Sequence, residues 1–291
     1  MNTRRKFIQQ SGLLTMGIMM NPSSLLTKNN SVGIQLYSVR DEIVKDPRGV
    51  IQKIAAAGYN EVEMYGLSSN NKYYGLSIKE LVQLLKDNNL KTPSGHYSPE
   101  NFLYQNGNGD DVKNFCEVGN SLGHSHIIIP WLNEENRKNI EQYKVLAEQI
   151  NKAALICKAA GLKMAYHNHN FEFIDFNGEH GYDILLNNTD KDLVQFEIDL
   201  YWVVRAGYNP VELFKKHPGR FPFWHIKDML KEDASKNTEV GNGSVDFKTI
   251  FDNAKLAGVK HYLVEQENTY SPDIFTSIKT SCNYTKNVLL K

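Results

Sequence analysis

Four short apolar runs in the second half of this 291-residue chain each carry a side chain able to bind a metal. LKMAYHNH ends at His167 and His169, VQFEID ends at Asp199, FPFWHIKD carries His225, and HYLVEQE reaches Glu265. Ionised carboxylates at the ends of buried runs need a cation or a full set of hydrogen bonds to offset lost hydration. Two carboxylates with one or two imidazoles, and positions left open for water or substrate oxygens, suit one divalent ion: Mn²⁺, Co²⁺, Mg²⁺ or Zn²⁺. A salt-bridged structural cluster is the competing reading. His167 and His169 are two residues apart, so along a strand they share a face with Asn168 opposite, and either could complete the set.

The elements that must position these groups follow from the pattern. Each run is short, rich in β-branched or aromatic residues, and bounded by Gly, Pro or charge, which predicts a buried strand. Upstream, strands are expected over residues 32–37, 62–64, 92–96 and 127–131. Helical segments separate them: one opened by Pro47 and closed by Gly58, one with the capping box Ser77-Ile78-Lys79-Glu80, and a long one over 134–160 with Gly161 beyond it. Further helices are expected from Pro210, over 246–257 and over 274–290. Strands alternating with helices eight times in about 260 residues predict a (β/α)8 TIM barrel, a single domain over 31–291. In such a barrel the carboxyl ends of the strands converge on one face, where Tyr37, Tyr65, Trp131 and Trp202 would offer aromatic surfaces to sugar C–H groups.

Charge sets limits. Thirty-three basic and thirty-three acidic residues give no net charge and a pI near 7.1, so nothing marks a nucleic-acid partner. A small-molecule substrate fits better, and the oligomeric state stays open. Residues 1–30 begin with Arg4 and Arg5 followed by an apolar stretch, the pattern of a twin-arginine-type export signal, which predicts an exported, periplasmic protein. The stretch is too short for a stable membrane anchor. Cys116, Cys157 and Cys282 are widely spaced without Cys-x-x-Cys and read as packing residues.

Glu63, His96, the YHNH of residues 166–169, EIDLYW with Ala206-Gly207, HIKD with the segment from Gly241 to Phe247, and VEQE occur in an order that resembles the xylose isomerase-like TIM barrels. That superfamily holds sugar isomerases, ketose 3-epimerases, inosose dehydratase and endonuclease IV. The resemblance covers residues 32–291. It implies Asp199, His225 and Glu265 as metal ligands with His167 as the fourth, and Glu265 also as the base that removes a proton beside a carbonyl. His169 and Lys227 become candidate partners in proton transfer, and Glu63, His96, Trp131, Glu172 and Trp202 candidate substrate-binding residues. Two departures stand out. The epimerases have a Glu where His167 stands, and a substrate-binding His where Trp202 stands.

The implied activity is a metal-dependent sugar isomerase or epimerase that removes a proton beside the carbonyl of a keto-sugar or sugar derivative. The alternative is a lyase or dehydratase that eliminates a β-substituent from a keto-sugar or keto-glycoside through the same enolate. A non-catalytic carbohydrate-binding barrel is the rival from another class. An endonuclease would need more metal ligands and a basic groove. Asp228 in HIKD could orient Lys227. No Gly-rich phosphate cradle follows strands seven and eight, apart from the room that Gly241-Asn242-Gly243 leaves.

Overall fold

The computed structural model describes residues 31–291 apart from Asn106, so the segment read as an export signal lies outside the described residues. Eight parallel strands form the sheet: β1 (Gly33–Gln35), β2 (Glu61–Glu63), β3 (Ser94–His96), β4 (His126–Ile129), β5 (Lys163–His167), β6 (Val194–Asp199), β7 (Phe223–Ile226) and β8 (His261–Val264). Their order is β2-β1-β8-β7-β6-β5-β4-β3. The two outer strands meet through bridges between Glu61 and Lys91 and between Met64 and Gly95, which nearly closes the sheet into the expected α/β barrel.

Around it run α1 (Pro47–Ala56), α2 (Ile78–Asp87), α3 (Asp110–Leu122), α4 (Ile140–Ala159), α5 (Gly181–Asn188), α6 (Pro210–Lys216), α7 (Phe247–Asp252) and α8 (Ile274–Tyr284). Local chemistry sets their ends. Asp46 caps α1 ahead of Pro47, and Ser77 and Glu80 close the expected capping box on α2. The long helix starts at Ile140 rather than 134, because Asn139 caps it and residues Glu134–Asn136 form a separate 3₁₀ turn. The expected helix over 246–257 is two pieces, with Asn253 between α7 and Ala254–Ala257. The last one changes from α to π at Thr285. The cysteines are free and buried, with Cys116 and Cys157 3.5 Å apart between α3 and α4.

Side chains alternate across the strands, and the inward rows form layers. Nearest the amino ends, His261 meets Glu61 at 2.9 Å and His126 meets Gln195 at 2.7 Å. Above them Ile128, Ala165, Phe223 and Leu263 form a small apolar layer of their own, separate from the main core between sheet and helices. Above that plug the interior is polar: Gln35, Glu63, Ser94, Glu197 and His225 are all buried. Gly33 leaves the room this stacking needs. A Cβ there would lie 2.5 Å from Leu263 Cδ2 and 2.9 Å from Glu61 Cβ. Gly33→Ala is therefore expected to cost about 1–3 kcal/mol of unfolding free energy by overpacking, read as a lower urea midpoint with unchanged slope.

Candidate active site

The residues expected to bind a metal do converge. His167 ends β5, Asp199 ends β6, His225 lies within β7, and Glu265 follows β8; their ligand atoms all lie within 4.8 Å of one another. His225 Nδ1 is 3.1 Å from His167 Nε2, 3.1 Å from Glu265 Oε2 and 4.0 Å from Asp199 Oδ2. His167 Nε2 is 3.6 Å from Asp199 Oδ2. Ligand atoms about 2.1 Å from a common ion sit roughly 3.0–3.4 Å apart at octahedral or tetrahedral angles. The group is close to that size. Asp199 Oδ1 accepts from Trp202 N and so caps the helix Leu200–Arg205, whereas its buried Oδ2 has no hydrogen-bond partner. A carboxylate oxygen without a hydrogen bond, facing two imidazoles and a second carboxylate with the Lys227 ammonium 3.7 Å away, suits a divalent cation.

His169 stands apart from this group. β5 ends at His167 because Asn168 leaves the ladder: its Oδ1 accepts from Asp199 N at 3.0 Å and ties β5 to β6. Strand alternation therefore stops one residue too early to carry His169 inward. Its ring stacks on Phe171 at 5.3 Å and 7°, meets Trp131 edge-on at 4.7 Å, and faces the cleft. Burial, then the charges of His167 and Lys227, hold its imidazole well below the ordinary range, so it is neutral.

A second layer lies beneath. His225 Nε2 is 2.7 Å from Glu63 Oε2 and 3.2 Å from Glu197 Oε2; a carboxylate only accepts, so Nε2–H donates and leaves Nδ1 to the upper group. Glu63 also accepts from Gln35 Nε2 at 2.7 Å and from Ser94 Oγ. Expected to touch substrate, Glu63 instead lies wholly buried below the cleft, because inward side chains of β2 point into the barrel beneath its mouth. His96 does reach the cleft, with Nε2 held 2.8 Å from Glu197 and 3.2 Å from Glu63. Burial opposes its charge, but those carboxylates outweigh it and push the imidazole up to about 9. Glu197 was missed in the sequence, although Gln195, Glu197 and Asp199 at period two form one inward row. Lys227 is fully buried, with Nζ 3.2 Å from Glu265, 3.7 Å from Asp199 and in contact with Glu267. Burial raises the Glu265 carboxyl, but Lys227 and then His225 overcome this and hold it well below the carboxylate range.

Two other expectations change place. Glu172 does not line the cleft: it lies behind β5, accepting from the outward Tyr166 hydroxyl and from His169 N at 2.9 Å, and so anchors the loop that carries His169. Asp228 does not orient Lys227. Its two oxygens accept from the backbone N–H groups of Met229, Gly241, Gly243 and Val245 at 2.8–3.1 Å. Gly243 is required there, since a Cβ would lie 2.2 Å from Asp228 Oδ1.

The cleft above the metal group has a volume of about 400 Å³, with His96, His167, His169 and Trp202 inside and Tyr37, Tyr65 and Trp131 nearer the mouth. Trp202 Nε1 and His169 Nδ1 are buried there without hydrogen-bond partners. A larger depression of about 890 Å³ opens around Leu85, Lys91 and His261, at the opposite end of the barrel and remote from these groups.

Glu63→Gln keeps the shape but weakens the acceptor that orients His225. Affinity for Mn²⁺, measured by titration calorimetry, is expected to fall about 10–100-fold with the fold retained. A second prediction concerns acidity. Burial pushes the Glu172 carboxyl from its ordinary 4.5 up to about 7, with Tyr166 and the His169 N–H partly opposing. The folded chain therefore holds a proton that the unfolded chain releases. This contribution to stability is full below about pH 4.5 and is lost as pH rises through about 7. Glu172→Gln should flatten the fall in melting temperature across that window, and an unchanged slope would remove Glu172 as its source.

Comparison with known proteins fits this geometry. A protein of Clostridium botulinum (strain Alaska E43 / Type E3) named inosose dehydratase is 28% identical over 233 residues, 69% of this chain and 75% of that one. A second inosose dehydratase, from Geobacillus kaustophilus, is 27% identical over 212 residues, covering 67% and 65% of the two chains. Among solved structures, a sugar phosphate isomerase/epimerase from Parabacteroides distasonis superposes with a TM-score of 0.79 at 29% identity, over 90% of this chain and 95% of that one. The IOLI protein, whose structure contains a zinc atom, shares the fold with a TM-score of 0.71 at 17% identity, over 89% and 98%. The family model described as xylose isomerase-like TIM barrel matches residues 51–287, and the chain belongs to that family.

Proposed function

We propose that the chain is a divalent-metal-dependent lyase that eliminates an oxygen substituent from the carbon β to the carbonyl of a polyhydroxylated ketone. Where that substituent is a hydroxyl, the reaction is a dehydration. The observation that carries this reading is the acid–base inventory. Of the two carboxylates in the metal group, Asp199 is fully buried and caps a helix, and Glu265 keeps a small exposed surface. The fourth member of the group is an imidazole, His167, where the resemblance implies a Glu in the epimerases.

Epimerisation needs a proton removed on one face and returned on the other, hence two groups. Elimination needs only one. Glu265 accepts the proton from the carbon beside the carbonyl, and the electron pair moves to the oxygen to give an enolate. The enolate re-forms the carbonyl as the β-carbon–oxygen bond breaks, and the departing oxygen takes the proton that Glu265 accepted. Charge and protons balance without a further donor. His167, Asp199, His225 and Glu265 would hold a divalent ion, which would supply Lewis-acid polarisation to a ketone oxygen and so acidify the neighbouring C–H. Lys227 keeps Glu265 ionised, and the neutral His169 has one N–H with which to hold the departing oxygen.

The inosose dehydratase relatives support this choice and suggest a cyclic polyhydroxy ketone as substrate. The isomerase/epimerase reading keeps the support of the Parabacteroides structure and of His169 as a second group. Mass spectrometry of inosose incubated with Mn²⁺-loaded protein in D₂O separates the two. Loss of water is expected; deuterium gain without loss of water would establish the epimerase instead. Glu265→Gln should lower turnover by about 10²–10⁴-fold, and full activity in that variant would remove Glu265 as the base.

A further inference from the structure

The cleft is larger than one reacting ring needs. Its volume of about 400 Å³ falls in the range of roughly 300–1,000 Å³ that holds a drug-sized ligand. The inner half, around His96, His167, His169 and Trp202, belongs to the metal group. The outer half is aromatic. Tyr37 and Tyr65 follow β1 and β2 and meet edge-on at 5.2 Å, while Trp131 follows β4 across the mouth. Tyr37 is 40% exposed and Trp131 45%, large apolar surfaces that core packing does not use.

These rings are also held in place. The Arg40 guanidinium lies 4.7 Å from the Tyr37 ring centre and donates to the carbonyls of Tyr37 and Glu267. The Arg137 guanidinium lies 5.5 Å from the Trp131 ring and donates to the Leu132 carbonyl. Rigid, exposed aromatic faces continuous with a reaction cleft can take the C–H face of a sugar or an aryl ring with little loss of freedom on binding.

The lining offers little to the obvious alternative, a phosphate group: His96 is already held by Glu63 and Glu197. No Lys or Arg lines the cleft, and Glu267 places a carboxylate there. Lys227 is spent on three carboxylates, and the two arginines at the mouth are spent on carbonyls and ring faces. The glycine turn at 241–243, the one candidate phosphate cradle, already has its N–H groups turned to Asp228.

We infer that the substrate is an uncharged, ring-substituted glycoside-type ketone, whose second ring, glycosyl or aryl, sits between Tyr37–Tyr65 and Trp131. This rests on the reading of the inner half as the reaction site, and it makes the second ring's alcohol the group eliminated. Binding to the Mg²⁺-loaded full chain can be followed by the fluorescence of Trp131 and Trp202. The probes are methyl β-D-glucopyranoside, phenyl β-D-glucopyranoside, cellobiose and glucose 6-phosphate.

Phenyl glucoside, cellobiose or both are expected to bind about tenfold tighter than the methyl glycoside, the worth of one good ring contact. An advantage for only one of them identifies the second ring as aryl or glycosyl. The ratio should collapse towards one in both Tyr37→Ala and Trp131→Ala, and glucose 6-phosphate should bind no tighter than the methyl glycoside. Equal affinities in the wild-type chain, a preference for the phosphate, or no saturable response to any probe would overturn the subsite. A ring advantage together with no loss of water from inosose would overturn only the lyase reading.

Discussion

One imidazole, His225, lies within 4.0 Å of four carboxylates, and the upper half of the barrel is organised around it. Glu63, Glu197, Asp199 and Glu265 are buried, and Lys227 is the one buried ammonium among them. Four such charges taken out of water are untenable unless each is hydrogen-bonded or neutralised. The structure meets that demand from two sides. Below, the Nε2 edge of His225 and the His96 ring engage Glu63 and the Oε2 of Glu197, whose other oxygen is buried without a hydrogen-bond partner. Above, the Nδ1 edge turns to Asp199 and Glu265 at a spacing that suits a divalent ion. The ring thereby couples the interior of the barrel to the chemistry at its mouth: a change in Glu63 is felt by the metal group through one rigid five-membered ring.

Much of this was legible in the sequence, and the reasons for the remainder are specific. The barrel followed from eight apolar runs separated by helical segments, and the metal group from what stood at the ends of four of them. Those readings depend on local periodicity, which the chain preserves. Glu197 escaped because attention to run ends passes over the inward residue two positions earlier, although the period of a strand marks it. Glu63 and Glu172 were visible as acids but not as to depth. Depth depends on which side of β2 or β5 each one occupies, and on partners such as Gln35 and Tyr166 that no spacing rule names. His169 shows a third cause: a side chain, Asn168, replaced a ladder bond and ended the strand.

The strand-five end separates the functional readings. A carboxylate at His167 would have given a symmetrical pair of acid–base groups, as epimerisation needs. The imidazole keeps the ligand set intact while removing that symmetry. Beside it stands His169, its ring 4.8 Å from that of His167 and fixed by a parallel stack on Phe171, which in turn lies under the Arg137 guanidinium at 3.6 Å. This packing fixes the half-buried ring at the cleft wall. A group so held is better suited to directing a leaving oxygen than to supplying a proton from a charged form.

Asp228 has a consequence that reaches past its own loop. By lying among the N–H groups of Gly241, Gly243 and Val245 it acts as an internal counterfeit of the anion such a turn would otherwise attract. Folding of the β7 loop and the filling of this turn's N–H groups are thus two results of one carboxylate. A lineage that acquired phosphorylated substrates through this turn would have to surrender the latch that shapes it, so substrate charge and loop order cannot drift independently in this barrel.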